Sequence, residues 1–348
     1  MREPAFWWRE PGIAGRALAP LAAIYGAVAR ARLARTGRRA SVPVVCIGNL
    51  TVGGSGKTPT VLAAARMLAA AGERPVLLSR GYGGSLSGPV AVDPARHRAH
   101  DVGDEPLLLA RAAPTIVARD RVAGASMAVE AGASVVIMDD GFQNPALAKD
   151  FSMLTLDGRR GVGNARVLPA GPLRAPVDAQ LALAHALLVV GAPSHAAAII
   201  AAARTRGIAV FQARLHPDSA TIAALARRKV LAFAGIADPQ KFFATLADAG
   251  VTIAETRSFP DHHRYGAAEA RALRAQAQRD GLILVTTEKD LVRLTGDDEL
   301  VGLAARARAL PVTLDFDDAE AFKSLLLERI AAARRRTVKT DRAAYAGA

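Results

Sequence analysis

The chain has 348 residues, 51% of them hydrophobic, and 45 Lys and Arg against 32 Asp and Glu give it a formal net charge of +13. That length buries a sizeable core and accommodates two domains; the composition excludes a disordered chain, and the single Cys46 excludes an internal disulfide framework. No Cys/His cluster has zinc spacing and no aromatic-and-basic strip is present to stack bases, so the positive charge points away from nucleic acid and towards a nucleotide or a phospholipid surface.

Residues 1–40 read as a separate amphipathic segment. Phe6-Trp7-Trp8 sets both tryptophans side by side, residues 17–29 carry no charge, and Arg30, Arg32, Arg35, Arg38 and Arg39 follow. Thirteen helical residues span roughly 20 Å, well short of the ~30 Å hydrocarbon core, so the segment is too short to cross a bilayer. Ala27-Val28-Ala29 resembles a signal-peptide cleavage site, but Glu3 and Glu10 break the basic region that should precede it. Two readings stand. The preferred one is an interfacial anchor, with tryptophans at headgroup depth and arginines on anionic lipid; the other is a helix packed on the domain with a solvated basic end.

Val44-Val45-Cys46-Ile47 is an apolar run ending in a glycine-rich turn, and an alanine-rich helix is expected over 61–71. Strand, turn and helix form the context in which Gly53-Gly54-Ser55-Gly56-Lys57-Thr58 holds phosphates. Glycines let backbone N–H groups converge on phosphate oxygens, Lys57 reaches the β- and γ-phosphates, and the Thr58 hydroxyl sits on Mg²⁺. The general pattern asks for glycine where Thr51 stands. A second strand over 75–79 ends in Arg80-Gly81-Tyr82-Gly83-Gly84, at the strand edge where ligands of open α/β sheets gather. Asp104 and Glu105 precede the apolar stretch 107–110 and suit the first turn of a helix as well as a functional role.

A strand over 115–118 leads to Arg119, Asp120 and Arg121, and the run from Ser134 ends in Asp139-Asp140-Gly141-Phe142-Gln143. A parallel strand ending in an acid presents a carboxylate beside the phosphate loop, where it holds Mg²⁺ or its water. Strands over 151–156 and 186–190 bring the count to six, with an ordered loop at Leu168-Pro169-Ala170-Gly171-Pro172-Leu173-Arg174 between them. The expected fold is α/β: a P-loop NTPase-like, mostly parallel sheet with helices on both faces over 41–215. A second, smaller α/β domain over 216–335 is expected from strands at 230–234, 251–254 and 282–287 and a helix at 241–250. Its polar chemistry is concentrated in one loop, Phe259-Pro260-Asp261-His262-His263-Arg264-Tyr265, and the 282–287 strand ends in Glu288-Lys289-Asp290. Residues 336–348, with Lys339 and Arg342, read as a fraying basic tail after Arg334-Arg335-Arg336.

These stretches, in this order, resemble the tetraacyldisaccharide 4′-kinase family, the lipid A 4′-kinases of Gram-negative bacteria. The resemblance rests on Ile47-Gly48-Asn49-Leu50-Thr51, Gly53 to Pro59, Ser79-Arg80-Gly81-Tyr82-Gly83-Gly84, Gly103-Asp104-Glu105-Pro106, Asp139 to Gln143, Gly163-Asn164, Leu168 to Arg174, Phe259 to His263 and Thr287-Glu288-Lys289-Asp290. Thr51 and Pro59 belong to that family's own loop. The resemblance implies transfer of the ATP γ-phosphate, with Mg²⁺, to the 4′-hydroxyl of a lipid A disaccharide 1-phosphate at the cytoplasmic face of the inner membrane. It implies a smaller domain closing over a larger one, and an enzyme resting on an anionic membrane because its acceptor is a lipid.

By the same resemblance Thr51, Gly53, Gly54, Ser55, Gly56, Lys57 and Thr58 cradle ATP, and Thr58, Asp139 and Asp140 lie on the metal side. Asp104 is the implied general base and His262 its dyad partner; Asn49, Arg80, Tyr82, Arg121 and Gln143 are implied substrate or phosphate contacts. The chain departs from the family at Ala175, where a glutamate commonly follows the arginine, and Asp178 is the nearest acid to replace it. A competing reading is a membrane-bound P-loop ATPase switch without a lipid acceptor. Such loops often carry a lysine where Val52 stands, and they have no need of the Asp104 and His262 loops.

Overall fold

The computed structural model describes residues 3–10 and 12–346, with side chains described as far as residue 336. Short apolar runs between turns form β1 (Val44–Asn49), β2 (Pro75–Ser79), β3 (Val90–Ala91), β4 (Thr115–Val117), β5 (Val135–Asp139), β6 (Phe151–Asp157), β7 (Ala186–Val190) and β8 (Ala209–Pro217). They are followed by β9 (Lys229–Ala234), β10 (Thr252–Ser258), β11 (Ile283–Thr287), β12 (Ala307–Leu310) and β13 (Val312–Phe316). One sheet has nine strands in the order β13-β8-β7-β6-β1-β5-β2-β4-β3, and the other has four in the order β10-β9-β11-β12. The small sheet is parallel throughout, and the large one is parallel except at its edges, where β3 and β13 run antiparallel to β4 and β8.

Both faces of the large sheet are covered, which explains why its central strands are continuous apolar runs rather than alternating ones. Val44 and Cys46 of β1 enter one layer with Ala125, Ala128, Ile199 and Ala203 from the Arg121–Glu130 and Ala197–Thr205 helices. Val45 and Ile47 enter the opposite layer with Val61, Ala64 and Leu68 of the Lys57–Ala70 helix and with Phe322, Leu326 and Ile330 near the chain's end. The small sheet repeats the arrangement, with Val230, Ala232 and Ala234 on one side and Leu231 and Phe233 on the other.

The division of the chain differs from the expected 216–335 boundary. β13 pairs with β8, so the chain returns to the large sheet after β12. Phe316 stacks on Phe322 with ring centroids 4.5 Å apart, and the Ala319–Ala346 helix packs beside the Lys57–Ala70 helix. That helix continues past 336 to Ala346, and Arg334 pairs with Glu73 at 2.6 Å. The side chains of Lys339 and Arg342 lie outside the described residues.

The amino-terminal segment is a 3₁₀ turn at Ala5–Trp8 and helices at Ile13–Ala17 and Ala19–Leu33. Ala22, Gly26 and Leu33 are buried, Gly26 lying over Val167 and Pro176. On the opposite face Leu21, Ile24, Tyr25 and Val28 form a stripe at helical spacing, 57%, 65%, 42% and 56% exposed. The tryptophans are docked rather than free for a bilayer. Trp7 Nε1 donates to Pro169 O at 3.0 Å, Trp8 Nε1 donates to Glu3 Oε2 at 3.0 Å, and the Arg160 guanidinium lies 4.8 Å over the Trp8 ring. Among the described residues no helix is long and apolar enough to cross a membrane.

Candidate active site

β1 lies between β5 and β6, so the loops leaving their carboxyl ends converge. Beyond β1 the chain turns back on itself: the buried Asn49 donates from Nδ2 to Gly53 O at 3.2 Å. Ser55 Oγ is 2.7 Å from Thr155 Oγ1 of β6, which pins the loop to the sheet. Gly56 sits at φ +83° and begins the Lys57–Ala70 helix; a Cβ there would be strained by that φ and would lie 3.2 Å from a Val190 methyl. The helix therefore opens directly under the loop, with its free N–H groups and positive end towards an incoming phosphate.

The 168–174 loop braces the phosphate loop from the other side. Val52 N donates to Pro172 O at 2.9 Å and Arg174 N to Leu50 O at 3.0 Å. Gln180 Nε2 donates to Leu50 O and Ala175 O at 3.2 and 2.7 Å, and Gln143 Nε2 donates to Asn49 O and Gln180 Oε1, both at 3.0 Å. Asn49 and Gln143 were expected to meet substrate. Gln143 Nε2 is used within the protein, whereas Asn49 gives one N–H to Gly53 O and its buried Oδ1 has no hydrogen-bond partner among the described residues.

Asp139 is the last residue of β5, level with Ile47 of β1. It is buried, and its Oδ1 has no hydrogen-bond partner among the described residues. Burial and the negative charges of Glu105 and Asp140 push its carboxyl up to about 7. Asp140 follows at φ +52°, with Arg174 bidentate on its carboxylate at 2.7 and 3.0 Å and Lys57 Nζ at 3.8 Å. Burial alone would raise the Asp140 carboxyl, but Lys57 and Arg174 outweigh it and bring it down to about 2. Ala175 is wholly buried in the apolar layer with Leu173 and Leu181, and Asp178 forms a bidentate surface pair with Arg30 at 2.7 and 2.9 Å. Neither position supplies the absent acid.

Asp104 opens the Asp104–Leu109 helix. Gly103 before it has φ +91°, and a Cβ there would sit 2.5 Å from Tyr82 O, so the Arg80–Gly84 turn can nest against the helix start. The Asp104 carboxylate is 3% exposed and faces the small sheet across the cleft. Its Oδ2 lies 3.1 Å from His262 Nδ1 and accepts from Arg293 Nε at 2.8 Å and from Arg293 Nη2; its Oδ1 accepts from Glu105 N at 2.9 Å. Burial raises the Asp104 carboxyl, and the His262 hydrogen bond with the Arg293 charge more than reverses it, holding it well below the usual carboxylate range. His262, whose own φ is +55°, is raised above the ordinary imidazole value, chiefly by the bond to Asp104. The Tyr82 ring lies 5.1 Å from the His262 ring.

A family model described as tetraacyldisaccharide-1-P 4′-kinase matches residues 14–331. The chain belongs to this family. It is 54% identical to the tetraacyldisaccharide 4′-kinase of Nitrobacter winogradskyi over 96% of this chain and 99% of that one. It is 55% identical to the protein of the same name from Rhodopseudomonas palustris strain BisB18 over 96% and 97% of the two chains. Among solved structures, an "apo" form of the Aquifex aeolicus enzyme in complex with ATP is 27% identical, with a TM-score of 0.71 over 91% of this chain and 99% of that one.

Within the kinase, several charged residues join the site without having been singled out in the sequence. Arg174 and Glu105 stood inside recognised motifs but had no assigned role; Lys289 pairs with Glu105 at 2.5 Å across the cleft. Arg293 carried no sequence signal beyond standing three residues after Asp290, to which it is bonded at 2.9 Å. On the other side of the phosphate loop, Lys241 meets Asp157 at 2.8 Å and Asp238 meets Arg160 at 3.0 Å, so the two sheets are tied together at both flanks. Arg80 is exposed at the end of β2. Arg121 is 2% exposed and gives Nη1 to Ala118 O at 2.7 Å, which makes it an interior cation near Asp139 rather than a cleft-lining contact.

Proposed function

We propose that this kinase transfers the γ-phosphate of ATP to the 4′-hydroxyl of a tetraacyldisaccharide 1-phosphate, giving the bis-phosphorylated lipid A precursor. The observation that carries the reading is the meeting of Asp104 and His262, one from the large domain and one from the small, at 3.1 Å in a chain that also holds a phosphate loop. An ATPase switch needs the loop but has no use for a buried base held ready by a second domain. Lys57, the N–H groups of residues 53–58 and the helix beneath them bind the phosphates. Asp104 takes the acceptor hydroxyl's proton, and His262 orients the carboxylate that does so. A carboxylate of low pKa suffices because in a loose phosphoryl transition state the proton leaves late, and direction matters more than basicity.

The unpartnered Oδ1 of the buried Asp139, next to Asp140 in the chain, fits a divalent cation, and Thr58, buried in the first turn of the helix after the phosphate loop, is the hydroxyl the motif assigns to it. Among the described residues no three His, Cys, Asp or Glu side chains converge as a metal site, so most of the coordination would come from ATP and water, as Mg²⁺ tolerates. When bound, Mg²⁺ supplies charge neutralisation on the phosphates. Asp139 and Thr58 would hold it, and Arg174 keeps Asp140 ionised alongside.

The assay is labelled ATP with purified kinase and tetraacyldisaccharide 1-phosphate. Labelled lipid is expected, and no label when the 4′-hydroxyl is absent. No labelled lipid with any divalent ion sinks the reading, and hydrolysis stimulated only by a protein partner would favour the switch.

The exposed stripe of Leu21, Ile24, Tyr25 and Val28, with Ile13 and the arginines nearby, supports a peripheral seat on the anionic, cytoplasmic face of the inner membrane. Ile24→Asp is expected to cut co-sedimentation with phosphatidylglycerol vesicles at least tenfold, since burying one such side chain contributes about 1.5–3 kcal/mol. Vesicle binding equal to that of the unaltered chain would remove the stripe from the membrane contact.

A further inference from the structure

We propose that Arg293 is the positioning residue of the acceptor base: it clamps one oxygen of Asp104 so that the other faces the sugar hydroxyl, and does so only when the small domain is shut. The inference rests on the reading of Asp104 as the base and adds a residue that reading did not contain.

The geometry runs through single atoms. Both Arg293 donors and His262 Nδ1 converge on Oδ2 of Asp104, whereas Oδ1 has only the Glu105 N–H among the described residues. Oδ2 is saturated, so Oδ1 is the oxygen with acceptor capacity left for an incoming hydroxyl. Arg293 is itself fixed within the small domain. Its Nη1 donates to Gly235 O at 2.6 Å and to Asp290 Oδ1 at 2.9 Å. Asp290, wholly buried, also takes Gly235 N at 3.0 Å, Tyr265 OH at 2.9 Å and Thr287 Oγ1 at 2.6 Å.

The same Gly235 O accepts from His262 N at 3.1 Å. The guanidinium and the imidazole that grip Asp104 are thus set by one carbonyl, and neither can reach the carboxylate unless the small sheet lies against the large one. A planar fork with several fixed donors does this; a lysine ammonium carries the charge without the fork. Closure would then orient the base as well as exclude water.

The charged groups facing Asp104 are Glu105 on its own helix and, from the small domain, His262 and Asp261 on one loop and Lys289 and Arg293 on another. Arg293 is the one whose removal takes away a positive charge in direct contact without opening the His262 dyad. Removing it lets Asp104 keep its proton to higher pH, which moves the acid limb of the rate profile upward.

The test compares Arg293→Met and Arg293→Lys, each in the full-length enzyme, with kcat, the KM for ATP, and pH profiles alongside thermal melts. For Arg293→Met the expected result is kcat lowered at least tenfold, KM for ATP within threefold, and an acid limb displaced to higher pH. Arg293→Lys should lower kcat severalfold with the limb in place. In an Asp104→Asn background, Arg293→Met should cost less than twofold further, because its effect passes through that carboxylate. Wild-type kcat and limb in Arg293→Met, or an equal loss in both backgrounds, overturns the proposal. If Arg293→Met does not fold, Arg293→Lys decides: a lowered kcat with an unchanged melt supports it, and a wild-type kcat overturns it. Absence of lipid phosphorylation by the wild-type enzyme is a different failure, that of the functional reading, and takes this inference with it.

Discussion

Asp104→Asn is expected to lower kcat for lipid phosphorylation by about 10²–10⁴, the range over which a positioned general base contributes. That corresponds to roughly 3–5 kcal/mol on the barrier. Asparagine is nearly isosteric, and its amide oxygen can still accept from Arg293, so the change removes the proton acceptor with little change of shape. It also strips the negative charge from between Arg293 and His262, which will lower stability; the melt must accompany the rate. Because the proposed role puts Asp104 on the acceptor side, and among the described residues its carboxylate bonds only Glu105, His262 and Arg293, KM for ATP should stay within a few-fold. An Asp104→Asn enzyme with wild-type kcat would end the base assignment.

Lys57→Met should lower turnover and nucleotide affinity together. Lys57 begins the helix under the loop, its side chain is 10% exposed, and its ammonium lies 3.8 Å from Asp140. On the proposed reading the ammonium follows the β- and γ-phosphates through transfer, and removing one such preorganised donor costs about 10²–10³ in kcat. Ground-state phosphates lose the same contact, so nucleotide affinity should fall together with kcat. Isothermal titration with a non-hydrolysable ATP analogue, run beside steady-state kinetics, separates the two terms. The fold should survive, because Arg174 still balances Asp140 with two hydrogen bonds. Unchanged affinity and unchanged turnover would place the phosphates elsewhere.

What could be read from the residues follows from how each signal arises. The central strands announce themselves because burial on both faces forces long apolar runs. β8 was missed because it is half-exposed along most of its length, alternating polar and apolar residues, and β13 because it makes sense only once paired with it. The phosphate loop and Asp139-Asp140 were legible as local patterns, whereas Asp104 and His262 stood out only through the family resemblance. Arg293 was legible by neither route, since its partner Asp104 is 189 positions away and no spacing rule links them.

The same limit applies to Gln143 and Arg121. A motif tells which residues belong together, and the hydrogen bonds of the folded chain decide which of them face the ligand. Ala175 shows the converse. Its missing carboxylate is plain in the sequence, but only the packing shows that the methyl lies in an apolar layer and that no neighbouring acid takes its place.

The return of the chain to the large sheet has a mechanical consequence. The small sheet leaves after β8 and comes back at β13, and the two crossings run side by side: Val312 is registered with Pro217, and Asp218 N donates to Pro311 O at 2.9 Å. The small domain is therefore nested within the large one and hangs from it on a paired strap. Hydrogen bonds between the two crossings hold them in one register, so neither can slide past the other without breaking the pairing. The register of that pair therefore fixes the small domain against the large one where it is attached, and with it the approach of His262 to Asp104.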